Sequence, residues 1–329
     1  MFLRDLEDGC DLDRVLLVRE VEVRRKKDGG DFLKLSLADR TGAVAAMVWD
    51  GVAEIQELCC AGTPVHVLGR YEVHARYGAQ VRLRALRAAQ EGSFNLADLL
   101  DGPPRAAELM EADLRELLNT IQDRHLRALL GRILGEGSPT WALYRRAPAA
   151  KHFHQAYAHG LLEHSLTVAQ SVSAISATFP GIDRDVAVAG ALLHDIGKLE
   201  AYTTDPCAID MTDAGRLQGE IPLGYFRVRR EIEDLPGFPA QTAQALLHII
   251  LSHHGSLEHG SPVVPCTREA TLVHMIDNLG GRLGSFDRLE KTLAPGQPWS
   301  GFDRAVGSGA FFGPVRAVEA DLGPERQAA

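Results

Sequence analysis

The stretch ALLHDIGKLEAY, from Ala191 to Tyr202, decides the fold of this chain. Its apolar run ends in the adjacent pair His194 and Asp195, and Lys198 follows three residues later. A buried carboxylate is destabilising by roughly several kcal/mol unless a partner compensates its charge. We expect a cation to provide that compensation at Asp195. The stretch therefore predicts a metal centre inside a helical domain.

The composition is that of an ordinary globular protein. The chain has 329 residues, 45% of them hydrophobic and 24% charged, which is enough for two domains. No stretch approaches the ~18 consecutive apolar residues of a membrane span, and the acidic N-terminus is unlike a signal peptide. Five cysteines without a C-x-x-C pattern argue against a disulfide framework or a zinc finger. We expect a cytoplasmic protein with no membrane partner.

Charge is distributed unevenly along the chain. Residues 1–90 hold 14 basic and 14 acidic residues, so the rest of the chain carries the whole net charge of -9. A net negative charge argues against a protein that covers nucleic acid through general electrostatic attraction. An acidic body can concentrate metal cations, while a neutral N-terminal part with local basic clusters can still contact phosphates.

The N-terminal part, from about Arg14 to Arg87, has a period of two, which predicts about five antiparallel strands. Alternation in FLKLSL sets Leu33 on a core face and Lys34 on the other. A small barrel with one basic, aromatic face is typical of an oligonucleotide/oligosaccharide-binding (OB) fold. For Trp49 we favour a place in the barrel core. The candidate nucleic-acid-binding residues are Phe32, Lys34, Tyr71, Tyr77, Arg82 and Arg84.

Histidines cluster in the C-terminal part, where the apolar residues follow a helical period. Ten of the 13 histidines lie between His152 and His274. Nitrogen and oxygen donors without a thiolate favour Mn, Fe, Mg or Zn. Asp195 has two oxygens and could bridge two cations ~3.5–4 Å apart, and we expect Lys198, one helical turn beyond His194, to pair with a substrate phosphate. The predicted metal ligands are His164, His194, Asp195 and Asp277.

The order of these four ligands resembles that of the HD superfamily of metal-dependent phosphohydrolases. The segments HGLLEHSLTVA, LGYFRV and IILSHHGSLEHGSPVVP narrow the resemblance to the YhaM-type bacterial 3′-5′ exoribonucleases, over about residues 14–292. It implies a multidomain chain, with an N-terminal all-β OB-fold barrel followed by an all-α HD domain. The expected division is an OB-fold nucleic-acid-binding domain at 1–92, a linker with amphipathic helices at 93–145, an HD phosphohydrolase domain at 146–294 and a C-terminal extension at 295–329.

The resemblance also implies a chemistry. It implies removal of nucleoside monophosphates from the 3′ end of single-stranded RNA, with Mn²⁺ as the cofactor. From the residues themselves we expect Asp195 and Lys198 to be the catalytic residues. The first ion would have the four ligands above, and the second would lie between Asp195 and the pair His253 and His254. Where such proteins usually carry a further histidine, in a G-H-I segment, this chain has Glu220. A carboxylate also binds metals but favours a harder ion, which leaves the number of ions, one or two, open.

Two other functions remain open at this stage. The chain could hydrolyse small or cyclic nucleotides with a regulatory OB domain, or it could be a non-catalytic nucleic-acid-binding protein whose HD domain is a relic. Single-stranded DNA as a second substrate and a homo-oligomeric state are also left open.

Overall fold

A computed structural model describes residues 2–26, 29–74, 78–151, 155–290, 293 and 296–313. Its N-terminal part is a closed five-stranded barrel in the order β1-β2-β3-β5-β4, in which β4 pairs back with β1. This is the strand order of an OB-fold. The strands are β1 (Asp11–Arg25), β2 (Asp31–Asp39), β3 (Gly42–Val48), β4 (Pro64–His74) and β5 (Gly78–Ala88).

One strand pair differs from the expected antiparallel arrangement. β3 and β5 are parallel, whereas the other four pairs are antiparallel. The chain passes from β3 through helix α1 (Val52–Leu58) to β4, which pairs with β1 and not with β3. β5 is antiparallel to β4, and it closes the barrel by running alongside β3.

The barrel interior follows the predicted alternation. Leu33, Leu35 and Leu37 on β2 are fully buried, and Val81 on β5 is 2% exposed. Phe32 alternates with these leucines and lies on the outer surface, as expected from the period of two along a strand. The register of the barrel is therefore fixed by its apolar core.

The rest of the chain is mainly helical. Helices α3 to α5 share one hydrophobic core with the later helices, and this core extends from Ala107 to Ile276. The helices are α2 (Leu96–Leu99), α3 (Ala107–Asn119), α4 (Arg124–Leu134), α5 (Pro139–Tyr144), α6 (Gly160–Ser176), α7 (Arg184–Leu193), α8 (Lys198–Ala201), α9 (Asp213–Gln218), α10 (Glu220–Glu233), α11 (Ala240–Ser252) and α12 (Arg268–Glu290). The predicted fold class, a β-barrel followed by a helical domain, is confirmed. The exact domain limits stay predictions.

A small hairpin follows α12. Strands β6 (Trp299–Asp303) and β7 (Ser308–Phe311) form a two-stranded sheet. Arg288 near the end of α12 donates to Asp303 of the hairpin at 2.5 Å, and the Phe286 ring packs edge-on against Phe312. Within the described ranges, no helix is both long enough and apolar enough to cross a membrane.

Candidate metal centre

Two of the predicted ligands lie at the C-terminal ends of helices. His194 directly follows α7, and His253 directly follows α11. The last carbonyl groups of a helix have no partner within the helix, and each ring uses one of them. Nδ1 of His194 lies 2.7 Å from the Ala191 carbonyl oxygen, and Nδ1 of His253 lies 2.8 Å from that of Ile250. Each Nδ1 therefore carries the proton, which leaves Nε2 with a free lone pair.

The third imidazole, that of His164, comes from the interior of α6. Its Nδ1 lies 3.1 Å from Oε1 of Gln155, in the segment before the helix. Its Nε2 lies 3.2 Å from Nε2 of His194. When both rings are neutral, each of these two nitrogen atoms presents a lone pair, and the two cannot hydrogen-bond to each other. Their approach indicates that both are directed at a common electrophile.

Two carboxylates complete this group. Asp195 Oδ2 lies 3.2 Å from His164 Nε2, and Asp277 Oδ1 on α12 lies 3.1 Å from the same nitrogen. Ligand atoms of His164, His194 and Asp277 all lie within 4.8 Å of one another. Within the described part of the chain, Asp195 Oδ1 and His253 Nε2 are buried without a hydrogen-bond partner, although they are 3.5 Å apart. A divalent cation would satisfy all of these acceptors, so the residues fit a metal.

The pKa values reflect this surplus of negative charge. Burial alone would lower the pKa of His164, but hydrogen bonds and charge from Asp195 and Asp277 outweigh it and raise the pKa to about 9. Burial would raise the pKa of Asp195, but the ammonium of Lys198 and the contacts with His194 and His164 hold it well below its usual range. In the metal-free protein, a proton on His164 thus takes part of the role that a cation would have.

Lys198 does not occupy the predicted position. α7 ends at Leu193 and α8 begins only at Lys198, so His194 and Lys198 do not share a helical face as expected. The Lys198 ammonium lies 2.6 Å from Asp195 Oδ2, and its side chain is only 14% exposed. It is the counterion of Asp195, and its predicted contact with a phosphate stays a prediction.

A second, more exposed group adjoins the first. The His253 and His254 rings are adjacent, with centroids 4.3 Å apart. His254 Nε2 lies 3.6 Å from Oε1 of Glu220, the first residue of α10. Burial and the neighbouring His253 lower the pKa of His254, which keeps its imidazole neutral and able to bind a metal. The side chains of His254 and Glu220 are 28% and 22% exposed, against 0–2% for His253 and Asp195. The four predicted ligands of the first ion therefore form one continuous row with the second group, which consists of His253, His254 and Glu220.

Phe32, one of the predicted nucleic-acid-binding residues, lies on the outside of the barrel beside Trp49. Phe32 stacks on Trp49 with ring centroids 4.6 Å apart, and Lys26 lies 5.7 Å above the Trp49 ring. Trp49 is 52% exposed, so its expected place in the core is wrong. It directly follows Val48, the cross-strand partner of Leu33, which sets Trp49 opposite Phe32 on the outer face. Strand alternation misplaced this residue because Trp49 lies just beyond the end of β3.

The other members of this predicted set lie in different places. Arg82 and Arg84 are exposed on β5, and Arg84 pairs with Asp11 at 2.8 Å. Lys34 lies beside Glu22 at 3.8 Å. Tyr71 is cross-strand partner of the buried Val81 and packs half-buried against the barrel core, away from the basic face. Tyr77 lies outside the described residues.

Comparison with known proteins agrees with this architecture. The family model of the HD domain matches residues 161–281. The chain is 31% identical over 293 residues to the 3′-5′ exoribonuclease YhaM of Geobacillus sp. (strain WCH70), which covers 88% of both proteins. It is 28% identical over 292 residues to the 3′-5′ exoribonuclease YhaM of Bacillus subtilis (strain 168), covering 88% of this chain and 91% of the relative.

A solved structure also matches part of the chain. It is the second OB-fold domain of replication protein A from Methanococcus maripaludis, with 18% identity and a TM-score of 0.22, and the match covers 29% of this chain and 98% of that domain. The OB-fold assignment therefore depends only on the strand order of the barrel. The similarity in sequence covers most of both YhaM relatives, and from it we conclude that this chain belongs to the YhaM family of 3′-5′ exoribonucleases.

Proposed function

We propose that this protein is a metal-dependent 3′-5′ exonuclease that hydrolyses single-stranded RNA to nucleoside monophosphates and also accepts single-stranded DNA. Three imidazole Nε2 atoms and two carboxylates converge here, and among the described residues Asp195 Oδ1 and His253 Nε2 have no hydrogen-bond partner; this observation carries the proposal. Burial of such a group in a packed core is destabilising unless a cation binds it. The family membership supplies the reaction class.

The roles of the residues follow from their positions. His164, His194, Asp195 and Asp277 would hold one ion, and Asp195 with His253 and His254 a second, beside Glu220. Bound cations supply Lewis acidity for the phosphodiester and lower the pKa of a nearby water. Mn²⁺ is the proposed ion because the family resemblance implies it, and a donor set of nitrogen and oxygen atoms without a thiolate suits it.

Asp195 and Lys198 are the proposed catalytic residues. Asp195 directs Oδ2 at His164 and Oδ1 at His253, so its two oxygens reach both groups of ligands. Lys198 balances this charge while its partner Asp195 is without a cation. With Asp195 neutralised, the Lys198 ammonium would be available to pair with a phosphate oxygen.

The barrel surface favours a polymer over a mononucleotide as the substrate. The rings of Phe32 and Trp49 can stack on bases of any sequence, each base contributing roughly 1–3 kcal/mol to binding. Arg82, exposed on the outside of the barrel, adds a positive charge for a phosphate backbone, and Lys34 and Arg84 can exchange their partners Glu22 and Asp11 for phosphates. Stacking and positive charge do not select a particular base, which suits a nuclease that must accept every base.

The decisive experiment is a time course on a 5′-labelled single-stranded RNA in EDTA, followed by addition of Mn²⁺, Mg²⁺, Zn²⁺ or Co²⁺. A ladder that shortens from the 3′ end only with metal is the expected result. The Asp195→Asn variant should lose hydrolysis while RNA binding persists. Turnover of mononucleotides or cyclic nucleotides without a ladder would instead favour the small-nucleotide phosphohydrolase, and metal-independent binding without turnover would favour a non-catalytic protein.

The proposal includes a cytoplasmic location and self-association. The described cysteines are all free thiols, which suits a reducing compartment. Met275, Leu279 and Leu283 are 60%, 50% and 55% exposed on α12, and their spacing of four puts them on one side of the helix. Light scattering after gel filtration measures the oligomeric state, and a monomer at all concentrations would contradict this part of the proposal.

A further inference from the structure

The three imidazoles of the metal centre are oriented in two different ways. His194 and His253 follow the last residues of α7 and α11, where free carbonyls of their own helices accept the Nδ1 protons. His164 is the fifth residue of α6, so the carbonyl groups one turn before it already accept hydrogen bonds within the helix. Its Nδ1–H therefore needs an acceptor from elsewhere, and Oε1 of Gln155 lies 3.1 Å away.

The backbone at Gln155 is built to make this contact. Gln155 has φ of +59°, a left-handed conformation that is uncommon for a residue other than glycine. Its carbonyl oxygen accepts a hydrogen bond from the Ala149 N–H at 3.1 Å. A Cβ at Gly160, the first residue of α6, would overlap that carbonyl oxygen. The absence of a side chain at Gly160 thus allows the segment with Gln155 to pack against the start of the helix.

A side-chain amide can present either its oxygen or its NH₂ group, and a neighbouring carboxylate decides the choice here. The side-chain amide of Gln155 also lies beside the carboxylate of Glu163, where it offsets part of the rise that burial causes in the pKa of that carboxyl. A carboxylate accepts hydrogen bonds, so it requires the amide NH₂ on its side and turns Oε1 toward His164. The Tyr157 hydroxyl donates to the same carboxylate at 2.7 Å and helps to hold it in place.

We propose that Gln155, oriented by Glu163, is the positioning residue that keeps the proton of His164 on Nδ1 and directs its Nε2 into the metal centre. This inference rests on the proposed metal-dependent function. It assigns a role to a residue that the sequence pattern did not single out. Hydrogen-bond partners of metal-bound histidines typically change metal affinity by about 10–100-fold when they are removed.

The test compares Co²⁺ binding by calorimetry in four forms of the full-length protein. Gln155→Met keeps the size of the side chain and removes the acceptor, so we expect the affinity for Co²⁺ to fall by about 10–100-fold. Gln170→Met is the matched control, since Gln170 is an exposed glutamine of α6, the helix that carries His164. The exchanged pair Gln155→Glu with Glu163→Gln preserves one acceptor toward His164 and one donor between the two side chains, and it should restore most of the affinity.

A second measurement reports on the proton itself. In the Zn²⁺-loaded wild type, we expect a slowly exchanging His164 Nδ1–H resonance by ¹⁵N-edited NMR, and this resonance should be lost in Gln155→Met. Unchanged Co²⁺ affinity and an unchanged resonance in Gln155→Met would overturn the inference, as would an exchanged pair that binds no better than Gln155→Met. If the wild type binds neither ion, the proposed function itself fails, which is a distinct outcome.

Discussion

An added methyl group at Gly190 should perturb the metal centre from one helical turn away. Gly190 on α7 lies four residues before His194, and Ile249 on α11 lies four residues before His253. A Cβ at Gly190 would overlap Cδ1 of Ile249 and would lie 2.9 Å from its Cγ2. The favourable separation of two carbon atoms is about 3.5–4.0 Å. The Gly190→Ala variant therefore forces the two ligand-bearing helices apart or displaces Ile249.

The expected loss of stability can be worked from two opposing effects. Overpacking of a core costs about 1–3 kcal/mol, whereas replacing glycine by alanine inside a helix gains up to about 1 kcal/mol. Ile249 is fully buried and β-branched, so it has little freedom to move. We expect the upper end of the cost and a net loss of about 2 kcal/mol in the free energy of unfolding. The affinity for Co²⁺ should fall as well, because His194 and His253 separate.

Urea unfolding and Co²⁺ titration of a double-mutant cycle test this reasoning. Ile249→Ala removes both clashing atoms, so in the double variant the two energies should depart from additivity by at least about 1 kcal/mol in the stabilising direction. Gly131→Ala on α4 is the control, since a Cβ there meets nothing within 4 Å. Equal stability of Gly190→Ala and Gly131→Ala, or strictly additive energies, would refute the argument.

Three further predictions concern the barrel surface, the metal centre and the C-terminal hairpin. Trp49→Ala should weaken binding of a single-stranded oligonucleotide by about 1–3 kcal/mol per stacked base, measured by fluorescence anisotropy, while hydrolysis of a mononucleotide diester stays unchanged; a parallel loss of both activities would argue for a structural role. Binding of Mn²⁺ should release protons and weaken as the pH falls below about 9, because the raised pKa of His164 keeps it protonated in the metal-free protein; calorimetry in buffers of different ionisation enthalpy detects this release, and pH-independent affinity would contradict it. The hydrogen bond from Arg288 lowers the pKa of Asp303, so this link between α12 and the hairpin is intact above the unfolded pKa near 3.8 and is lost as the pH falls through the lower folded value. Trp299 fluorescence should report an acid transition that Asp303→Asn abolishes. An identical transition in the variant would exclude Asp303 as its source.

The sequence was sufficient for the parts of the molecule that depend on residue type and period. The alternation around Leu33 and Lys34 predicted the barrel surface, because burial selects every second residue of a strand. The pairing of His194 with Asp195 in an apolar run predicted a metal centre, because few other partners compensate such a pair. The same reasoning included Asp277, although 82 residues separate it from Asp195 along the chain.

The wrong or missing predictions have physical causes that the periodicity of the sequence does not show. Lys198 was placed on the helix of His194, but that helix ends at Leu193 and lets the ammonium turn back to Asp195. Trp49 lies just outside a strand, where alternation no longer separates inside from outside. Gln155 acts through a left-handed backbone angle and one side-chain contact, which are properties of the folded segment and not of its composition.

The decrease in burial from Asp195 to Glu220 has a consequence for how this enzyme could change over time. Two of the inner ligands, His194 and His253, also terminate helices, and both are buried in the core, so a substitution there alters folding and chemistry together. Glu220 and His254 are partly open to solvent, at the outer rim of the row. Natural variation can therefore explore new metal preferences at these two positions while the interior scaffold is preserved, and laboratory evolution of metal selectivity has its most tolerant starting point there.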